Sequence, residues 1–251
     1  PVTSAADVDR LRRFDVATEL GYVAESVRAV VARLDGRVPL IGFAGGPVTV
    51  ASYLVEGGHS THFLATKRLM YGEPEAWHRL LSLLSSLTSE YLRLQIEAGA
   101  DAVQLFDSWV GALAPQDYRR YVLPHARAIF APLAACGVPL IHFGTQTAAL
   151  LADMRSAGAS VVGVDWRIDL ADAWQRIGAG AAVQGNLDPV ALLAPWPVLA
   201  ETARGLLRSV ANRPGHVFNL GHGILPHTPV EAVADLVALV HEETANRVGP
   251  T

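Results

Sequence analysis

Six times along this chain a short apolar run stops abruptly at glycine or polar residues, and between the runs the apolar residues fall at helical spacing. The runs are Val38 to Phe43, ending in Ala44-Gly45-Gly46-Pro47; Val103-Gln104-Leu105-Phe106 before Asp107-Ser108; Leu140-Ile141-His142-Phe143 before Gly144-Thr145; Val161 to Val164 before Asp165-Trp166; Ala182-Val183-Gln184 before Gly185-Asn186-Leu187-Asp188; and Val217-Phe218-Asn219 before Gly221-His222-Gly223. Continuous apolar runs bounded by turn residues predict buried strands. Sets such as Val23, Val27, Val30, Val31 and Leu34, or Leu80, Leu83, Leu84, Leu87, Tyr91 and Leu94, predict amphipathic helices between them. Buried strands joined by helical crossovers make a parallel sheet with its faces covered. Thr228-Pro229-Val230-Glu231 fits a capping box with proline at the first helical position, and Asp169 to Asp172 suits another helix start.

Polar chemistry at the end of every strand favours a closed (β/α)8 barrel, whose site draws on many strand ends, over an open doubly wound sheet, which concentrates its ligand at one switch point. A length of 251 residues, with no linker and no change of composition, suits one barrel domain over 1–251. A barrel of this kind has eight strands and six are visible. About two N-terminal strand-helix units are therefore expected to be missing from the front.

The hydrophobic fraction of 51% against 18% charged residues implies a chain that is largely interior. A net charge of -4 and the absence of any Lys/Arg cluster argue against nucleic acid as a partner. Ala128 to Ala152 is nearly free of charge, but Pro132, Gly137, Pro139 and Gly144 cut it into pieces too short to span a bilayer, so no membrane association is expected. A single cysteine, Cys136, excludes an internal disulfide and suits a reducing, cytoplasmic location; no signal or lipidation motif opens the chain.

Gly42 to Gly58, together with Gln104-Leu105-Phe106-Asp107-Ser108, Gly163-Val164-Asp165-Trp166, Gln184-Gly185-Asn186-Leu187-Asp188-Pro189 and Asn219-Leu220-Gly221-His222-Gly223, resembles uroporphyrinogen decarboxylase. The similarity runs in order from about Leu11 to about Glu243. It implies a (β/α)8 barrel that removes carbon dioxide from the four acetate arms of uroporphyrinogen III to give coproporphyrinogen III, in haem biosynthesis. It also implies no metal or organic cofactor, a tetrapyrrole as binding partner and a homodimer. The family's N-terminal portion carries an arginine-rich loop and an aspartate facing the pyrrole nitrogens, and neither has a counterpart here. Val48 stands where an aromatic residue usually follows Gly-x-Pro, which predicts a smaller pocket wall.

The resemblance marks Tyr53 and Ser108 as active-site residues, Tyr53 offering its phenol to a carboxylate or to an aspartate and Ser108 its hydroxyl to a substrate carboxylate, although Ser108 also reads as a helix cap. His222, between Gly221 and Gly223 at a strand end, can exchange a proton near neutral pH, or can simply satisfy local backbone. Asp107 reads either as an orienting carboxylate or as a helix cap. Gly42, Phe43, Gly45, Gly46, Asp107, Gly185 and Gly221 are the candidate substrate-binding positions, the glycines by letting a planar macrocycle approach the backbone, although turn geometry alone can explain each. His142, on an apolar strand, reads as a core histidine bonded to backbone. Asp165 and Asp188 are expected to brace loops, and Arg119, Arg120 and Arg167 to lie on solvated faces. Two other readings stay open. One is a zinc-dependent corrinoid-protein methyltransferase of the same barrel, which needs a His-x-Cys pair that His142-Phe143-Gly144 lacks. The other is a tetrapyrrole-binding module without turnover, motivated by the missing arginines and aspartate.

Overall fold

The computed structural model describes residues 1–58, 60–210 and 213–245. Its centre is a six-stranded sheet in the order β1 to β6, every neighbouring pair parallel. The strands are β1 (Ile41–Gly45), β2 (Ala102–Phe106), β3 (Leu140–Phe143), β4 (Val161–Gly163), β5 (Ala182–Leu187) and β6 (His216–Leu220). Each strand pairs with the next in sequence across a helical crossover. The chain therefore forms six consecutive strand-helix units of a (β/α)8 barrel, with β1 and β6 as the two edges of the sheet among the described residues.

Alternation along each strand sorts the side chains into two layers. Val103 and Leu105 point out to the helices and are fully buried. Their neighbours Gln104 and Phe106 point in. On the inner face Ile141, Phe143 and Gln184 of the middle strands are buried, whereas Ile41 and Phe43 on β1 and Val217 on β6 are open to solvent. The outer layer packs on helices such as Pro74–Glu97, whose Trp77, Leu80, Leu81 and Leu92 are fully buried in the main core cluster.

β1 begins three residues later than the apolar run suggests. Pro39 has no N–H to give a ladder, and the Leu40 N–H is taken by the Asp101 carboxylate at 2.7 Å, so the run's first residues stay in the loop. Across Gly42 the Gln95 side chain reaches Phe43, accepting from its N–H and donating to its C=O at 2.9 Å each. A side-chain amide thus occupies backbone groups that a further strand would otherwise pair. The Asp169 start is as expected, its carboxylate accepting from the N–H groups of Ala171 and Asp172 ahead of the helix Leu170–Ile177. The capping box is not formed: the last helix spans Val230–Ala245, and the buried Thr228 hydroxyl has no hydrogen-bond partner. Ala128 to Ala152 is the end of one helix, a 3-10 turn, β3, a loop and the first residues of the helix Leu151–Ser156, and no described helix is long and apolar enough to cross a membrane.

Candidate active site

Because strand residues two apart share a face, β2 and the residues after it send Gln104, Phe106 and Ser108 into the same space. They line one wall of a cavity of about 330 Å³ at the C-terminal ends of the strands, with Phe143 from β3, Gln184 from β5, Asn219 and Leu220 from β6, and His222 and Gly223 beyond it. The Phe143 and His222 rings lie 6.2 Å apart, tilted by 54°. Lower down, the Gln184 amide donates to the Gln104 carbonyl oxygen at 2.9 Å. The cleft is thus walled by two phenylalanines and furnished with amides, a hydroxyl and an imidazole. No lysine or arginine lines it among the described residues. A second groove, of about 280 Å³ between β6 and the helix Val230–Ala245, is lined mostly by apolar side chains, with Asn219 and His241 as its polar members.

Ser108 is held by its neighbours. Asp107 turns inward beneath the helix Pro47–Glu56, where its carboxylate accepts from the N–H of Val48 at 3.2 Å and from the N–H and hydroxyl of Thr49 at 2.7 Å each. Of the two readings for Asp107, the cap is what these bonds describe, and the helix it caps follows β1 rather than its own strand. Gly46 makes room for it, since a Cβ there would stand 2.4 Å from the Asp107 Cβ. Burial outweighs these three bonds and pushes the Asp107 carboxyl up to about 6. The Ser108 carbonyl accepts from the Thr145 hydroxyl at 2.5 Å, and Gly111 sits where a Cβ would strike the Thr145 carbonyl at 2.1 Å. The loops after β2 and β3 are thereby fastened together.

His222 rests on the loop after β4. A Cβ on Gly221 would lie 2.5 Å from the Trp166 backbone nitrogen, so only glycine lets the two loops touch. That loop is pinned by Asp165, buried and paired with Arg167 at 2.6 Å while accepting from the Gln146 N–H at 2.8 Å. Asn186 adds two bonds, donating to the carbonyls of Asp165 and Ile168 at 2.9 and 2.8 Å. Arg167 lies flat over the Trp166 ring at 4.0 Å.

Of the residues singled out from sequence, Ser108 and His222 meet in the cleft. Tyr53 stands to one side on the helix after β1, just over half exposed, its ring 4.3 Å from that of Trp109, the residue following Ser108. Phe43 is exposed on the inner face of β1, 5.8 Å from Phe106. Gly42, Gly45, Gly46, Gly185 and Gly221 all have protein atoms within 3 Å of where a Cβ would sit, so close packing accounts for each glycine. Val48 is buried in the core and does not wall the cleft, which corrects the expectation of a smaller pocket there. His142 points outward, its Nδ1 3.3 Å from the Met154 carbonyl and its ring 5.2 Å from Phe130. Asp165 and Asp188 brace their loops as expected, Asp188 accepting from the Val190 N–H at 2.9 Å. Arg119 pairs with Asp153, and Arg120 lies over Tyr121. Gln104, Phe106, Phe143, Gln184 and Asn219 were missed as lining residues. Counting back from Ser108 in steps of two would have found the first two.

Residues 1–243 match the sequence profile of the family "Uroporphyrinogen decarboxylase (URO-D)". Proteins named uroporphyrinogen decarboxylase from Sorangium cellulosum and Salinispora tropica are 54% and 56% identical to the chain, over 96% and 98% of its length. The chain spans 69% and 66% of those two proteins. Among solved structures, a methyltransferase from Methanosarcina mazei superposes with a TM-score of 0.78 at 22% identity, covering 96% of this chain and 68% of its own. A B12-independent methionine synthase from a Shewanella species gives 0.57 at 12%, covering 94% and 70%. At such identities the structural likeness is one of fold. The sequence matches go further: the chain belongs to the uroporphyrinogen decarboxylase family.

Proposed function

We propose that this member of the uroporphyrinogen decarboxylase family uses the cleft between Ser108 and His222 to remove carbon dioxide from the four acetate arms of uroporphyrinogen III, giving coproporphyrinogen III. The observation that carries this reading is the convergence of Ser108, from the end of β2, and His222, from beyond β6, on one cavity at the catalytic end of a barrel sheet.

The chemistry needs little from outside. A proton added to the ring carbon beside the acetate-bearing carbon leaves a cation on the pyrrole. The bond to the carboxylate then breaks, its electron pair neutralises that cation as an exocyclic double bond, and carbon dioxide departs. A second proton on the exocyclic carbon and loss of the first from the ring restore the pyrrole with a methyl group, so each cycle consumes one proton. The substrate serves as its own electron sink. The protein's part is to supply a proton, hold carboxylates and exclude water.

His222 suits the proton transfer, being exposed in the cleft beside Phe143 with ring nitrogens that can donate or accept a hydrogen bond. Ser108 offers its hydroxyl to a carboxylate, and Tyr53 carries a phenol to one side, against Trp109. Phe106 and Phe143 provide apolar walls against which a ring can lie. An anionic chain cannot draw in an octa-acid by its overall field, so the non-reacting carboxylates need a local cationic partner, and none lines the cleft among the described residues. We place the protein in the cytoplasm as a homodimer on the strength of the family resemblance. The test is anaerobic incubation of the full-length protein with uroporphyrinogen III. Coproporphyrinogen III and four carbon dioxide molecules per substrate are expected, and their absence removes the reading.

A further inference from the structure

We propose that Gln104, locked in place by Gln184, presents the N–H donors that hold the carboxylate about to leave as carbon dioxide. The inference rests on the decarboxylase reading and adds to it a residue on the floor of the cleft, below Phe106 and Ser108 on the same face of β2.

The amide is polarised by its neighbour. Gln184, facing it from β5 across the inner face and 3% exposed, donates its Nε2 to the Gln104 Oε1 at 2.9 Å. With that oxygen engaged, what Gln104 offers the cavity is its NH2 group, which makes no hydrogen bond to the described protein. A ligand reaching the floor therefore meets a donor, and an oxygen acceptor is the group that fits it.

Neutrality of the donor matters for this reaction. As the bond to the carboxylate stretches, negative charge drains from its oxygens into the cationic ring. A guanidinium pressed against those oxygens would stabilise the ground state more than the transition state and so raise the barrier. An amide orients the carboxylate through hydrogen bonds while favouring the ground state less. Gln104 and Ser108 are both neutral hydrogen-bond donors, so the pair is chemically suited to the arm that reacts.

The test compares Gln104→Glu and Gln104→Met with the wild type in the full-length protein, by anaerobic steady-state kinetics on uroporphyrinogen III and by thermal unfolding. Glutamate keeps an oxygen for Gln184 and replaces the donor by an acceptor of negative charge; methionine keeps the length and removes the donor. Expected are losses in kcat/KM of about a hundredfold for Gln104→Glu and about tenfold for Gln104→Met. A melting midpoint within a few degrees of wild type for Gln104→Met separates this from misfolding. Wild-type kcat/KM in either folded variant overturns the assignment. Should the glutamate variant fail to fold, Gln104→Met decides alone, and a loss of activity in it that merely tracks a lowered midpoint also counts against the assignment. A wild-type protein that does not turn over uroporphyrinogen removes the decarboxylase reading itself, an outcome distinct from unaffected variants of an active enzyme.

Discussion

Truncating Asp107 to alanine tests how the site is braced. The side chain is 1% exposed and supplies the only oxygens that meet the Val48 N–H, the Thr49 N–H and the Thr49 hydroxyl in the described structure. Three lost bonds to a buried acceptor, at about 1–1.5 kcal/mol each, make a cost of about 3–5 kcal/mol. For a chain of this size that is a fall of about 10 °C in melting midpoint. Asp107→Asn keeps one oxygen, enough for Thr49, but turns its NH2 toward the Val48 N–H, and costs about 1–2 kcal/mol. The asparagine variant also isolates a titration. The folded-state carboxyl, held up to about 6 by burial against an ordinary 3.8, binds more protons than the unfolded one in between. Its contribution to stability is complete below the lower value and is lost as pH rises through the higher. Asparagine has nothing to titrate, so the stability of the wild type relative to Asp107→Asn should fall by on the order of 2–3 kcal/mol between pH 4 and 7, turning a deficit of about 1–2 kcal/mol at pH 4 into near equality or a reversal at pH 7. Urea unfolding by circular dichroism across that range measures both effects. An alanine variant that melts within 2 °C of wild type, or an asparagine deficit independent of pH, would show that Asp107 does not hold the helix as described.

His142 should act in the opposite direction: burial pushes its imidazole down to about 4, so its contribution is whole above about pH 6.5 and lost as pH falls through 4. His142→Leu is expected to flatten that acid limb in the same unfolding series while leaving decarboxylation within about twofold, because the ring faces Phe130 and not the cleft. Gly221→Ala drives a methyl group to within 2.5 Å of the Trp166 backbone and should shift the His222 loop, lowering kcat more than it lowers the melting midpoint. Ser108→Ala and His222→Asn should each cost about tenfold to a hundredfold in kcat/KM with little change in stability, read by anaerobic product analysis.

Strands were legible because glycine and short polar residues punctuate apolar runs, and all six lie on those runs; their ends were less so, since β1 starts at Ile41 and β5 carries on through Gly185 and Asn186 to Leu187, pairing with β6. What the pattern does not carry is which side chains fill the cleft. Gln104 and Gln184 read as stray polar residues in apolar runs, and only the closeness of β2 and β5 across the inner face shows them as a bonded pair. Asp107 was ambiguous for a related reason: its partners, Val48 and Thr49, lie on a helix that sequence spacing cannot bring near. What the pattern also leaves out is what the glycines pack against: Gly46 makes room for Asp107 and Gly221 for Trp166. Thr228 shows the converse, a sequence that fits a cap and a hydroxyl left unbonded.

The most direct test is a crystal structure of the full-length protein with coproporphyrinogen bound under reducing conditions. Density for the macrocycle should lie against Phe106 and Phe143, with a side-arm carboxylate within hydrogen-bond reach of Ser108 and the imidazole of His222 facing a ring carbon. A macrocycle bound away from the ends of β2 and β6, with Ser108 and His222 untouched, would contradict it.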